Sequence, residues 1–261
     1  MRALAALVGC VLLAEPVAAK KCPGDSVQVG NVCVDKYEAS VWEIAPANTA
    51  LIKKVQKGRI GAVADLAGAA ARGVTGDDYG TGCPDTGNGC MHFYAVSVPA
   101  TTPSRHVTWF QAAAACANAG KRLLTNQEWQ VAALGTPDPG TDDGISDCNI
   151  TSATNVLPED PVASGSRSLC VSDRGAFDMV GNLWEWVADW TDLAPLCTNW
   201  DAAHGTDRSC VGGDGSVNLP GALLRGGFFN FGTDAGVFTI FASGDPTLSN
   251  NHVGFRCARG L

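Results

Sequence analysis

Charged residues are scarce in this sequence of 261 residues, and positive charge is scarcer than negative charge. Asp, Glu, Lys and Arg make up 17% of the chain, with 18 Lys and Arg against 26 Asp and Glu, which gives a net charge of −8. Nucleic acids and anionic membrane surfaces bind basic patches, so neither is expected as the main partner. The apolar runs are also shorter than the roughly 20 residues of a transmembrane helix. The 46% of hydrophobic residues nevertheless predicts a folded globular protein.

Metal-binding motifs are absent as well, although cysteine is abundant. No Cys-x-x-Cys occurs, and the four histidines are too scattered for a compact zinc motif (His92, His106, His204 and His252). Eleven cysteines in a chain of this length instead indicate disulfides and an oxidising compartment.

The N-terminus is typical of a secretory signal peptide. Arg2 precedes a short apolar run from Ala3 to Ala14, and small residues before position 20 predict cleavage after Ala19. Residues 1–19 would then be removed, and residues 20–261 would form one domain with ten cysteines. The alternative is a lipobox, Leu-Val-Gly-Cys, with Cys10 as the lipidated anchor. We therefore expect a secreted, periplasmic or cell-surface protein.

The ten cysteines that follow Ala19 can form five disulfides. Four pairs bracket short segments or loops, which leaves Cys116, on a predicted helix, for Cys257 in the last predicted strand. The predicted pairs are Cys22–Cys33, Cys83–Cys90, Cys148–Cys170, Cys197–Cys210 and Cys116–Cys257. Other connectivities stay open, because spacing alone does not determine them.

The rest of the chain predicts a loop-rich α+β domain with few helices. Residues 26–44 alternate around a Gly-Asn turn, which indicates a hairpin followed by a strand. An Ala-rich helix is expected from Val107 to Gly120, and Thr125 with Glu128 forms a capping box that starts a second helix. Short strands are expected at 223–231 and 252–258. The Gly- and Ala-rich stretch at about 51–82 is interpreted as a surface insertion.

Three ordered segments resemble the formylglycine-generating enzyme, or sulfatase-modifying factor, family. The first segment starts at Val107 with VTW, continues through Cys116 and ends with AGKRLLTNQEW. The second segment starts at Gly175 and reads GAFDMVGNLWEW. The third segment reads LRGG and is followed later by VGFRC, which ends at Cys257. The resemblance implies a C-type lectin-like fold of that family's subtype. It also implies a disulfide between Cys116 and Cys257.

The resemblance also exposes a departure that bears on catalysis. In the catalytic members, two cysteines a few residues after Arg-Gly-Gly bind copper and carry out an oxidation. Here the stretch from Phe228 to Gly236 contains no cysteine, and copper(I) requires soft ligands such as thiolates. We therefore predict a protein that is not an enzyme and requires no cofactor. The alternative is an oxidase related to the formylglycine-generating enzyme that acts on protein cysteines.

The C-terminal segment resembles the variable region of proteins that are diversified by retroelements. In such proteins a conserved framework carries replaceable surface positions, and the opening from Cys22 to Glu43 resembles them too. The resemblance implies a variable ligand-binding region at about 225–257. Its predicted ligand-binding residues are Phe228, Asn230, Phe231, Asp234, Phe241, Ser243, Gly244, Leu248, Asn251 and His252. Phe229 stands where that pattern has Trp, which indicates either a role in the scaffold or a separate branch of such sequences.

These observations predict a receptor-type protein whose C-terminal face binds a protein ligand. Aromatic anchors with a polar rim are typical of protein-binding surfaces; a glycan is the other candidate ligand. On a strand, Phe229 and Phe231 would share one face and Phe228 the other. The sequence leaves the oligomeric state open.

A structural calcium site is also predicted, because the family can hold calcium in the second segment. The candidate ligands are side-chain oxygens of Asp178 and Glu185 with the carbonyls of Val180 and Leu183. The alternative is that Asp178 caps the turn, while Glu185 pairs with a buried arginine such as Arg225.

Overall fold

The protein is described from a computed structural model over residues 21–138, 142–150, 160–191, 197–199, 208–210 and 221–261; for 197–199, 208–210 and Ser243 the backbone alone is described. The predicted signal peptide and the alternative anchor at Cys10 lie outside these residues. No helix in the described part of the chain is long and apolar enough to cross a membrane.

In the described part of the chain, three α-helices lie among thirteen short strands. The helices are α1 (Thr49–Gln56), α2 (Trp109–Asn118) and α3 (Asn126–Ala133). The strands before residue 130 are β1 (Ser26–Val29), β2 (Val32–Asp35), β3 (Ala39–Glu43), β4 (Ala70–Arg72), β5 (Phe93–Ser97) and β6 (Arg122–Leu123). Those that follow are β7 (Trp184–Thr191), β8 (Cys197–Asn199), β9 (Arg208–Cys210), β10 (Gly221–Arg225), β11 (Ile240–Gly244), β12 (Val253–Phe255) and β13 (Cys257–Gly260).

These strands form three sheets. The orders are β1-β2-β13-β6, β12-β7-β10-β11-β9-β8 and β4-β3-β5. In the second sheet β7 lies between antiparallel β10 and parallel β12, and β10 also pairs antiparallel with β11. The last strand, β13, pairs with β2 near the N-terminus, so the two ends of the described chain meet in one sheet.

Helix α3 starts where the sequence predicts, and α2 starts at Trp109, two residues after the expected Val107. The Thr125 side chain accepts from the Glu128 amide, and the Glu128 carboxylate accepts from the Thr125 amide. Thr108 and Gln111 form the same reciprocal pair at α2, which supplies partners for amides that a helix start leaves unpaired. After α2 the chain turns at Gly120, whose φ of +69° favours glycine.

Four of the five predicted disulfides are present: Cys22–Cys33, Cys83–Cys90, Cys116–Cys257 and Cys148–Cys170. Cys116 and Cys257 are both fully buried, and their bond joins α2 to the last strand. Cys197 and Cys210 are register partners of the antiparallel pair β8 and β9. Their side chains lie outside the described part, so that fifth disulfide stays a prediction.

The segment 51–82 differs from the expected surface insertion. Leu51 and Val55 lie one turn apart on α1 and are buried, as is Leu66 further on. They pack in a cluster with Trp42 and Tyr94 of the three-stranded sheet. Strand β4, within the same segment, pairs with β3. The segment thus supplies part of the core, a role that its glycine and alanine content concealed.

The two C-terminal strand predictions are only partly right. The expected strand at 223–231 ends at Arg225, because Gly226 and Gly227 adopt φ values of +91° and +84°. A Cβ on Gly227 would lie 2.6 Å from that of Ala235, so no other residue fits there without a shift. The expected strand at 252–258 is two strands, β12 and β13, which belong to different sheets.

Candidate ligand-binding pocket

The turn at Gly226 and Gly227 decides how three neighbouring phenylalanines are presented. After it the chain forms a tight turn in which the Phe231 amide donates to the Phe228 carbonyl at 3.0 Å. Phe229 is only 4% exposed, whereas Phe228 and Phe231 are half-buried. The prediction that Phe229 and Phe231 share a face is therefore wrong, because these residues do not form a strand. Phe228 and Phe231 share the accessible side, and Phe229 packs inward.

Aromatic rings form the walls of a pocket on this side. The Trp184 ring, on β7, lies 5.0 Å from that of Phe231 and 5.9 Å from that of Phe241 on β11, between centroids. The Phe228 ring lies 5.3 Å from that of Phe231, and the His252 imidazole stacks on Phe228 at 4.5 Å. Burial, with a smaller contribution from His106, lowers the pKa of His252.

The cavity between these rings has a volume of about 500 Å³, which lies within the range of small-molecule and side-chain binding pockets. Ten described residues line it: Trp184, Leu224, Phe228, Phe231, Phe241, Gly244, Asp245, Leu248, Asn250 and His252. Hydrogen bonds hold the turn at its rim. The Asp245 carboxylate accepts from the Thr247 amide at 2.7 Å, and the Pro246 carbonyl accepts from the Trp109 amide at 3.0 Å.

A buried charged network lies on the other face of β7. Glu185, next to Trp184, accepts two hydrogen bonds from Arg256 Nε, at 2.9 and 2.7 Å, and one from Trp129 Nε1 at 2.8 Å. Glu185 and Arg256 are 1% exposed or less. Arg256 also donates to the Phe177 carbonyl at 2.9 Å, which ties the strand end to the preceding loop.

Two further carboxyl groups complete this network. Glu38 accepts from the Asn182 side chain and, at 3.0 Å, from the Leu183 amide. Asp178 accepts from the Gly165 amide at 2.7 Å. Burial, together with the nearby carboxyl groups of Asp178 and Glu185, raises the pKa of Glu38 well above its usual range. Burial likewise raises the pKa of Asp178 to about 7.

Asn182 connects the network to the pocket. Its side-chain oxygen accepts from the Val162 amide at 2.8 Å, while its carbonyl accepts from the Phe229 amide at 3.0 Å. Its backbone has a φ of +58°, which asparagine tolerates better than most residues. The loop that carries the pocket phenylalanines is thus attached at Phe229 to a fully hydrogen-bonded buried residue.

Comparison with known sequences establishes the family. The sequence model of the sulfatase-modifying factor enzyme 1-like domain matches residues 64–261, more than half of the chain. The chain belongs to the sulfatase-modifying factor family. Its fold class is therefore the α+β, C-type lectin-like class that the sequence motifs imply, with few helices and at least four disulfides.

Curated relatives within the sulfatase-modifying factor family include both enzymes and a protein named as inactive. The formylglycine-generating enzyme of Thermomonospora curvata is 30% identical over 169 residues, which are 60% of this chain and 55% of the relative. The inactive C-alpha-formylglycine-generating enzyme 2 of Bos taurus is 27% identical over 186 residues, 60% of this chain and 50% of the relative. The chain spans about half the length of these relatives.

A solved structure was also found by comparison of folds. The Major Tropism Determinant M1 variant aligns over 92% of this chain and 53% of its own length, with 18% identity and a TM-score of 0.48.

In this member of the sulfatase-modifying factor family, six of the ten predicted ligand-binding residues line the pocket: Phe228, Phe231, Phe241, Gly244, Leu248 and His252. The other four do not. Asn230 and Asn251 are exposed outside the lining, Asp234 is half-buried in a short 3-10 helix, and only the backbone of Ser243 is described.

The prediction missed four lining residues. Trp184 and Leu224 come from β7 and β10, outside the replaceable positions that the resemblance implies. Leu224 is the register partner of Phe241, so pairing of the strands brings it to the pocket. Asp245 and Asn250 belong to the connection after β11. The alternation in Trp-Glu-Trp at 184–186 was a usable signal, since it places Trp184 on the face opposite Glu185.

The four candidate calcium ligands do not fit a calcium site. Both Glu185 oxygens accept hydrogen bonds from Arg256, so a guanidinium takes the position that a cation would need. Among the described residues no group of three or more His, Cys, Asp or Glu side chains is arranged to hold a metal. The alternative proves closer, except in the identity of the arginine. The arginine is Arg256, and Arg225 instead donates to the Thr239 carbonyl and stacks on Trp129 at 4.4 Å.

Proposed function

We propose that this protein is a secreted or surface-displayed binding protein that holds a protein ligand in the aromatic pocket and turns over no substrate. The observation that carries the proposal is the pocket itself. It collects four aromatic rings and a polar rim from separate segments of the chain. Exposed aromatic clusters of this kind are typical of interaction sites. A glycan is the second candidate ligand, since aromatic rings can also stack on sugars.

The absence of a thiol at the pocket supports a binding role over catalysis. The stretch from Phe228 to Gly236 has no cysteine. The eight cysteines whose sulfurs are described are all in disulfides, so none of them is a free thiolate. Thiolates are the ligands that copper(I) prefers. The competing proposal, an oxidase that acts on protein cysteines, requires the purified protein to take up copper.

The disulfides also support an extracytoplasmic location. Four disulfides in one domain form and persist where the environment is oxidising. We propose secretion to the periplasm, the medium or the cell surface after cleavage at Ala19, with a lipid anchor at Cys10 as the alternative.

The contrast between neighbouring phenylalanines provides the test. Purified protein is incubated with surface proteins from candidate target cells and crosslinked, and the captured protein is identified and quantified. Phe228→Ala combined with Phe231→Ala should reduce capture of that protein at least tenfold, because both rings face the pocket. The unfolding midpoint should fall by only a few degrees, because both rings are already half-exposed.

Phe229→Leu is the matched control. It changes a neighbouring phenylalanine that packs inward, so it should lower the unfolding midpoint while capture is retained. Undiminished capture by the double variant would refute the pocket as the binding site. Sequencing the gene from many cells adds a genetic test, because the proposal predicts changes concentrated at the replaceable codons between 228 and 252.

A further inference from the structure

Asp245 gives the pocket a single negative charge. It is the one acidic side chain among the ten described lining residues, and neither Lys nor Arg is among them. Within the described residues Asp245 forms no ion pair, and its hydrogen bonds go to one oxygen. Oδ1 accepts from the Thr247 amide at 2.7 Å and from the Thr247 hydroxyl at 2.8 Å. The second oxygen, Oδ2, is left for a ligand.

The aromatic walls favour a positive charge beside this carboxylate. The Trp184 ring lies within 6 Å of the rings of both Phe231 and Phe241, so the three rings form a connected group. The faces of such rings carry negative potential, which attracts an ammonium or guanidinium group. Burial lowers the pKa of His252, which disfavours a positive charge on the imidazole that would oppose such a group.

Neutral and anionic groups fit the pocket less well. A purely apolar group would cover Asp245 and remove its carboxylate from water without a partner, which is costly. An anion would meet the same carboxylate on a chain of net charge −8. A hydrocarbon chain that ends in a cation satisfies both parts of the lining.

We propose that the pocket binds a lysine side chain of the protein ligand, with its methylenes against the rings and its ammonium group at Asp245 Oδ2. This inference rests on the proposed function and names the group that the site recognises. Lysine suits the site better than arginine, because a guanidinium pairs best with two carboxylate oxygens. Here Thr247 already occupies one of them. The 500 Å³ volume leaves room for the peptide on either side of the lysine.

Two short peptides that differ in one group test the proposal. Acetyl-Gly-Lys-Gly-amide and its norleucine analogue are titrated into isotope-labelled protein, and the amide signals of residues 244–252 are followed by NMR. The lysine peptide should bind at least tenfold more tightly than the norleucine peptide. Asp245→Asn should abolish that preference, while its amide oxygen can still accept from Thr247 and preserve the turn.

Asp143→Asn is the matched control. Asp143 also accepts from backbone amides of its own turn, but it does not line the pocket. It should keep the lysine preference. Equal binding of both peptides, or a lysine preference that survives Asp245→Asn, would overturn the proposal. So would tighter binding of choline or of a third peptide that has arginine in place of the lysine. If neither peptide binds while protein capture still depends on Phe228 and Phe231, the lysine assignment fails and the proposed function stands.

Discussion

The two faces of strand β7 use adjacent residues in opposite ways. Glu185 points into a network in which its carboxylate accepts three hydrogen bonds from Arg256 Nε and Trp129, with both charged groups buried. Trp184 points into a pocket whose walls meet through ring contacts of 5.0 to 5.9 Å. Hydrogen bonds between charged groups require particular atoms at particular angles, whereas ring contacts require apolar area and shape.

The comparison explains how one domain can combine a fixed frame with a changeable site. Replacing a residue of the network leaves a buried charge without its partner, and few other side chains can take the place of that partner. Replacing a half-buried ring changes the shape of the pocket but leaves no buried polar group unpaired. The face with the pocket can therefore accept different side chains at a modest cost in stability.

The largest expected effect is on the network. Arg256→Leu should lower the free energy of unfolding by about 3–5 kcal/mol, or prevent folding, because it leaves the buried carboxyl groups of Glu38, Asp178 and Glu185 without their cation. Arg72→Leu is the control, since Arg72 pairs with Glu43 at a partly exposed position and should cost at most about 1 kcal/mol. Urea unfolding measures both, and equal costs would show that burial of the network does not make its arginine harder to replace than an exposed one.

A smaller effect is expected from the pH dependence of the network. Folded Asp178 keeps its proton up to about pH 7, whereas the unfolded chain releases it near pH 4. The unfolded state thus binds fewer protons between these values, and the free energy of unfolding falls as the pH rises through them. Asp178→Asn removes this loss, and asparagine also tolerates the φ of +57°. The free energy of unfolding of Asp178→Asn, relative to that of the unchanged protein, should therefore rise by on the order of 1–3 kcal/mol from pH 5 to pH 8.

Asp143→Asn serves as the control for this measurement. Hydrogen bonds from the amides of Asp147, Ile145 and Ser146 and from the Ser146 hydroxyl lower the pKa of Asp143, so its ionisation is complete below that range. Its stability difference from the unchanged protein should stay constant from pH 5 to pH 8. A flat difference for Asp178→Asn as well would show that the buried network does not hold a proton there.

The smallest expected effect is that of calcium. Because Arg256 already neutralises Glu185, the network needs no metal to balance its charge at that position. Unfolding midpoints in excess calcium chloride and in EDTA should agree within about 1 °C, since a site loaded far above its dissociation constant would add more than about 2 kcal/mol. A rise of several degrees with calcium would show that the segment at 178–185 holds the ion after all.

Local signals predicted much of the frame from the sequence alone. The capping box at Thr125 depends on two residues three positions apart, so the sequence shows both partners together. The partner of Glu185 was harder to assign. Arg225 and Arg256 are both buried, and Arg225 is even the register partner of Glu185 in the pair β10 and β7. The Arg225 side chain nevertheless donates to the Thr239 carbonyl, and Arg256, which follows β12, donates to the Glu185 carboxylate instead.

The pocket was predictable in its content more than in its shape. Position and residue type identified Phe228, Phe231 and Phe241, but the turn after Arg225 changed which phenylalanines share a face. Two adjacent glycines are compatible with a strand or a turn, and the contact of Gly227 with Ala235 decides between them. Such a contact depends on the tertiary fold, which no pattern within 228–231 encodes.

The disulfide between Cys116 and Cys257 affects what happens to the protein when a protease cuts its chain. It joins residues that are 141 positions apart, and the whole pocket is formed within the loop that it closes. A single cut anywhere between these two cysteines leaves both fragments covalently attached, so the nicked protein can keep its pocket assembled. Damage of this kind would be invisible on a non-reducing gel and would appear as two bands only after the disulfides are reduced.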